Sequence, residues 1–206
     1  LSYAYDSEVA VAALKNADAQ LARMIDRIGP YRLPDQSAMT PFQALLRSII
    51  YQQLSGKAAG SIHQRATALF PGKRPTAARL LALPAESLRA AGLSRGKIIA
   101  VRDLAARCID GTVPAKARLK RMDDADIIER LIQVRGVGRW TVEMLLIFHL
   151  GRPDVLPLSD LGVRRGFMRT FGGKCLPDAR RMLRRGRRWR PYRTVASWYL
   201  WRASEL

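Results

Sequence analysis

The sequence predicts an all-α protein. Three observations lead there. Helix-starting residues recur along the chain, each followed by apolar residues three and four apart. No segment alternates β-branched or aromatic residues strictly enough to make a half-buried strand. Hydrophobic residues make up 48% of the 206 positions and charged residues 26%, enough to bury a core and to exclude wholesale disorder. The length suits one domain, or two small and closely packed ones.

The elements follow in order. Ser7 to Ile28 reads as helix. Thr40-Pro41 offers an N-cap and then proline at the first helical position, where its missing N–H costs nothing. Behind it, Phe42 to Leu54 places Leu45 with Ile49, and Leu46 with Ile50, at i, i+4. Ser55 caps a helix that runs to Leu69 and stops before Pro71-Gly72. Further starts stand at Thr76, Pro84, Ser94 and Asp123, and Pro177 and Pro191 open the last two helices. This gives roughly nine or ten helices with short connections.

Charge narrows the partners. Lys and Arg number 36 against 17 Asp and Glu, a formal net charge of +19. A field of that sign draws polyanions, nucleic acid first and an anionic membrane surface second. Basic residues crowd the chain from Arg164 to Arg202, interleaved with Trp189, Tyr192, Trp198 and Trp201. Cys108 and Cys175 are too few for a disulfide framework or a four-thiolate cluster, and His63 and His149 lack metal-ligand spacing. No run reaches the ~18 apolar residues of a membrane span. The chain opens with neither a signal pattern nor Met. The expectation is a soluble protein of a reducing compartment.

The most informative segment is IIERLIQVRGVGRWTVEMLLIFHL, Ile127 to Leu150. An apolar helical stretch meets Gly136-Val137-Gly138, and a second helix resumes at once. Two glycines one residue apart permit a tight turn or a close approach that a β-carbon would forbid. The following helix presents unpaired N–H groups and a positive dipole end, which can take a phosphate without reading a base.

With its neighbours, this segment resembles the helix-hairpin-helix motif of the DNA glycosylase superfamily. A Gly/Pro-containing loop (Gly151 to Pro157) then leads to Ser159-Asp160 and LGVRRGFMRTFG, similar to the loop and aspartate of the helix-hairpin-helix-GPD superfamily. SIIYQQLSGKAA (Ser48 to Ala59), AAGLSRGKI (Ala90 to Ile98) and WRPYRTVASWYLW (Trp189 to Trp201) resemble 3-methyladenine DNA glycosylase II, the AlkA-type branch. The matches are collinear over most of the chain. Only about forty residues precede Pro41, so the chain resembles the compact form without an N-terminal β domain.

The resemblance implies a two-lobed helical bundle with a DNA and base cleft between the lobes. Residues 41–110 would form one lobe, and 1–40 plus 111–206, with the hairpin at 127–150, the other. It implies base-excision repair of double-stranded DNA containing alkylated bases such as 3-methyladenine and 7-methylguanine, by a monomer that flips the base and needs no cofactor. Asp160 takes the place of the catalytic aspartate, at an expected helix start, to stabilise positive charge developing on the sugar. Asp154 and Glu143 are competing carboxylates. Lyase members carry a lysine where this chain has Trp140. An indole cannot form a Schiff base, and the guanidinium of Arg139 stays protonated, so hydrolysis without strand cleavage is expected.

Trp140 and Trp201 occupy positions of aromatic pocket walls, and Met144 stands where the branch often has tyrosine. Along the last helix, Trp201 points ~200° away from Tyr199. The intercalating wedge falls at Gln53 or Leu54. Gly136, Gly138 and Thr141 would face a phosphate. The carbonyls of Ile132, Val134 and Val137 would hold a structural Na+ or K+. A non-catalytic helix-hairpin-helix DNA-binding protein is the alternative, since it needs the basic surface but not Asp160.

Overall fold

The computed structural model describes residues 5–34 and 38–206. Among them are thirteen α-helices and no β-strand: α1 (Ser7–Ala17), α2 (Ala19–Ile28), α3 (Pro41–Tyr51), α4 (Gly56–Ala68), α5 (Ala77–Ala82), α6 (Ala85–Ala90), α7 (Arg95–Ile109), α8 (Lys116–Leu119), α9 (Asp124–Leu131), α10 (Arg139–Phe148), α11 (Leu161–Phe171), α12 (Ala179–Gly186) and α13 (Arg193–Glu205). The count exceeds the expected nine or ten because pieces as short as four residues carry too little periodicity to be read. None of the described helices is long and apolar enough to cross a membrane.

The segment from Ser7 to Ile28 is helical as expected, in two pieces. Asp18 breaks it with extended backbone and accepts the Gln20 and Leu21 N–H groups, restarting the chain as α2. Its buried carboxylate also takes Arg185 and the Trp189 indole N–H, so tertiary partners hold the break in place.

The chain divides into two compact units. The central unit comprises residues 38–145 of the described chain. In it α7 packs against α3, α5 and α6, and α3 packs against α4. Leu45, Leu46, Ile49 and Ile50 of α3 and Val101 and Leu104 of α7 are core. Thr40 and Gln43 close a capping box at the start of α3, satisfying two N–H groups that would otherwise be orphaned. The expected lobe boundary after residue 110 is therefore wrong: residues 111–145 join the central unit. The Arg135 N–H donates to Asp103, and the Gln52 side-chain amide donates to the Gly136 carbonyl, contacts of long sequence separation that no local pattern encodes.

The terminal unit takes residues 5–34 and 146–206, so the division falls inside α10. Here α11 lies along α13, and α2 packs on both. The close approach of α11 and α13 depends on Gly166, where a β-carbon would stand 1.8 Å from the Leu200 carbonyl oxygen. Residues 194–200 of α13 are buried on every side, so it is a central helix rather than one with a single apolar stripe.

Candidate active site

Asp160 is the N-cap of α11, its Oδ1 accepting the Val163 N–H at 2.8 Å. The same oxygen accepts the Trp201 indole N–H, also at 2.8 Å. Gly162 makes room for this bond. A β-carbon there would lie 2.9 Å from Trp201 Cδ1 and 3.2 Å from Asp160 Oδ1. Phe148, at the end of α10, stacks on the indole with 5.8 Å between centroids and 21° between planes. The side chain at Asp160 is thus held by two donors, beside an aromatic pair, and the residue is 9% exposed.

The loop before Asp160 is stitched to α13. Thr194 Oγ1 donates to the Arg152 carbonyl and accepts the Val155 N–H, while Ser197 donates to the Val155 carbonyl. Asp154 is fully used in this framework: Arg193 Nε and Nη2 grip it at 2.6 and 2.8 Å. That geometry is bidentate and structural. The other competing carboxylate, Glu143, is buried on α10 and paired with Arg139 at 3.0 Å. Neither resembles a group presented to a substrate.

In the central unit, the hairpin turns between α9 and α10. Gly136 has φ of +79° and lies against Ala100, so its lack of a side chain is structural. Gly138 is different: its φ is not in the left-handed region, and a β-carbon would meet nothing within 4 Å. Neither packing nor backbone conformation requires a glycine there. Gly136, Gly138, Arg139 and Trp140 are exposed. Thr141 is 4% exposed, so it turns into the core instead of facing outward with them, and its hydroxyl is not part of the presented surface.

Trp140, 43% exposed, Met144 and Phe148 follow one another at i, i+4 and i+8 on α10. After Arg139 they are the residues of that helix that are not buried, and they share a face. Between α3 and α4, Gln53 and Leu54 are both exposed, and Gln53 has φ of +58°, an uncommon conformation for a residue with a side chain. The C-cap of α3 is Gln52, not Gln53.

A glycine hairpin, a Gly/Pro loop and a helix-capping aspartate match one family pattern. The family model described as "HhH-GPD superfamily base excision DNA repair protein" matches residues 46–191. The chain belongs to that superfamily. Within the HhH-GPD family it is similar to DNA-3-methyladenine glycosylase 1 of Schizosaccharomyces pombe, 37% identical over 196 residues, which cover 94% of this chain and 86% of that protein. The solved structure of S. pombe 3-methyladenine DNA glycosylase in complex with abasic DNA superposes with a TM-score of 0.87, at 36% identity over 96% of this chain and 97% of that one. The DNA-3-methyladenine glycosidase of Bacillus halodurans gives a TM-score of 0.88 at 34% identity, covering 99% and 93% of the two chains.

The structure thus brings Asp160 and Trp201 together in the terminal unit, and in the central unit it ties the 52–55 loop to the hairpin. Sequence reading missed Phe148, although its spacing from Met144 on one helix was a usable signal. It also missed the indole–carboxylate bond, which links residues 41 positions apart and leaves no local trace.

Proposed function

We propose that this protein is a monofunctional DNA glycosylase that removes alkylated purines from double-stranded DNA in base-excision repair. The observation that carries the reading is Asp160 held at the start of α11 by Val163 and Trp201. Membership of the family and the named 3-methyladenine glycosylase relatives support it.

The chemistry follows from the substrate. Alkylation at a ring nitrogen makes the purine cationic, so the C1′–N bond can break with its electron pair returning to the base, which leaves neutral. Positive charge develops on the sugar, and a fixed carboxylate stabilises it electrostatically without reorganising. Water then adds to C1′ and loses its proton, to Asp160 or to solvent. Strand cleavage needs an amine nucleophile, and the hairpin position holds Trp140 instead.

The remaining roles follow the family resemblance. By that resemblance Trp140 and Trp201 are each base-stacking residues, since aromatic faces favour the electron-poor ring of a flipped base, and Met144 would contribute an adaptable side chain. Gln53 or Leu54 fills the gap left in the duplex. Gly136, Gly138 and the first turn of α10 take a phosphate through main-chain amides. The same reading places Na+ or K+ on the carbonyls of Ile132, Val134 and Val137, where it would add positive charge beside those amides. The Val134 carbonyl already accepts the Val137 N–H at 3.0 Å, so its second lone pair would be the one offered. A monomer is sufficient for one flipped base.

The test is release of free base from duplexes bearing one 3-methyladenine or 7-methylguanine, by wild type and Asp160→Asn. The reading requires release by wild type and loss of at least ~100-fold in the variant, with abasic-DNA binding retained. Equal release by both proteins would refute the role of Asp160. A borohydride-trapped protein–DNA adduct would refute the monofunctional mechanism. Binding without any release by wild type would favour the non-catalytic alternative.

A further inference from the structure

The AAGLSRGKI segment opens α7, and its lysine has a use that the catalytic reading leaves unassigned. Lys97 Nζ donates to the carbonyls of Ile50 and Gln52, at 2.6 and 2.9 Å. These belong to the last turn and C-cap of α3, where helix geometry leaves carbonyls without partners. Water could satisfy them equally well. Lysine does something that water cannot: it ties the end of α3 to α7.

Further along α7, at successive three-residue steps, stand Ala100 and Asp103. Ala100 is the surface against which Gly136 packs, with 3.2 Å to a β-carbon built there. Asp103 Oδ2 accepts the Arg135 N–H at 2.7 Å. One helix thus carries the end of the 52–55 loop at Lys97 and the hairpin at Ala100 and Asp103. A direct strut closes the triangle, the Gln52 amide donating to the Gly136 carbonyl at 2.8 Å.

The ends of the loop are set by the packing of α3 on α4 and by the Ser55 cap of α4, while its tip is exposed. Residues 53–58 are exposed, and Gln53 sits at φ +58°. A wedge must push between stacked bases, which resist. A side chain on a slack loop would yield instead of the duplex, and its distance from the gripped phosphate would drift.

We propose that Lys97 is a positioning residue for base extrusion. Through α7, it sets the Gln53–Leu54 wedge at a fixed distance from the phosphate-binding hairpin. The inference rests on the reading of those two loops as wedge and phosphate grip.

The experiment compares single-turnover release of 7-methylguanine from two DNAs, one with the lesion fully paired and one with it in an unpaired bulge, where extrusion is already largely accomplished. Lys97→Met keeps the aliphatic stem and removes the donors. Release from the paired lesion is expected to fall about tenfold or more, while release from the bulge changes by less than about threefold. Lys97→Arg, which keeps charge and donors, should recover part of the loss. Equal losses in both contexts, or no loss in either, would overturn the proposal. If Lys97→Met does not fold, as judged by circular dichroism, Gln52→Ala cuts the second tie and must show the same dependence on pairing; its failure to do so would equally overturn it. Asp160→Asn should lose activity in both contexts. Absence of release by wild type in both would sink the glycosylase reading itself, a result distinct from a failure of the Lys97 proposal.

Discussion

Trp201 donates its indole N–H to the same Asp160 oxygen that caps α11. The residue expected to serve as a pocket wall is therefore also a support for the carboxylate, with one face on Phe148. Trp201→Phe keeps an aromatic ring and removes the donor. A hydrogen bond to a charged group contributes about 1.5–3 kcal/mol to stability, so the melting temperature should fall by several degrees, and base release should slow by roughly tenfold or more because the carboxylate is no longer held in place. Single-turnover kinetics beside a thermal melt check both halves.

Two glycines of α11 separate fold from activity. Gly166→Ala drives a methyl into the Leu200 backbone, which cannot rotate away. It should cost about 3 kcal/mol or more, measured by urea unfolding. Gly162→Ala meets the ring edge of Trp201 and the carboxylate of Asp160, both side chains. Its expected outcome is a folded protein with much reduced base release, because the indole must move off the aspartate.

Asp18 couples stability to pH. Burial pushes its pKa up, but hydrogen bonds from Arg185, Trp189 and the Leu21 N–H, with the Arg185 charge, outweigh that and hold it below the usual aspartate value. A depressed folded-state pKa stabilises the protein above the unfolded value of about 3.9, and the gain is lost as pH falls through the folded value. Asp18→Asn should be less stable by about 2–3 kcal/mol at neutral pH, because it leaves Arg185 without its buried partner. The gap should close in acid, below about pH 4. Urea titrations at pH 7 and at progressively lower pH would show it.

The thiols should differ sharply. Burial, followed by the nearby Asp110 charge, pushes Cys108 up to about 12, while Cys175 is exposed. Iodoacetamide at neutral pH should label Cys175 in the native protein and Cys108 only after unfolding. Peptide mass spectrometry reads the difference.

Salt should act on binding more than on selectivity. Affinity for undamaged duplex should fall linearly on a log–log plot against salt, as condensed counterions are released by arginine–phosphate contacts. The preference for a methylated over an unmodified site should change much less, since it resides in base contacts that release no condensed counterions. Fluorescence anisotropy at several salt concentrations tests both.

Much of the local structure was legible. Thr40, Ser55, Thr76 and Ser94 each cap a helix through the side chain, because capping needs only a hydroxyl and the next turn of backbone. Asp18 was missed as a break because the residues around it are good helix formers and the deciding partners, Arg185 and Trp189, lie far along the chain. The lobe boundary failed for a similar reason: its contacts run from Asp103 to Arg135 and from Gln52 to Gly136.

Periodicity, capping residues and motif spacing are properties of short stretches, which is why the helical class, the family and the placement of Asp160 after a Gly/Pro loop could be read from the residues alone. That Trp201 supports Asp160, that Gly162 and Gly166 permit it, and that Lys97 joins α3 to α7 emerges from the folded chain. Those relationships depend on how closely distant helices approach. A single β-carbon at Gly166 would prevent the approach, and no local pattern records that distance.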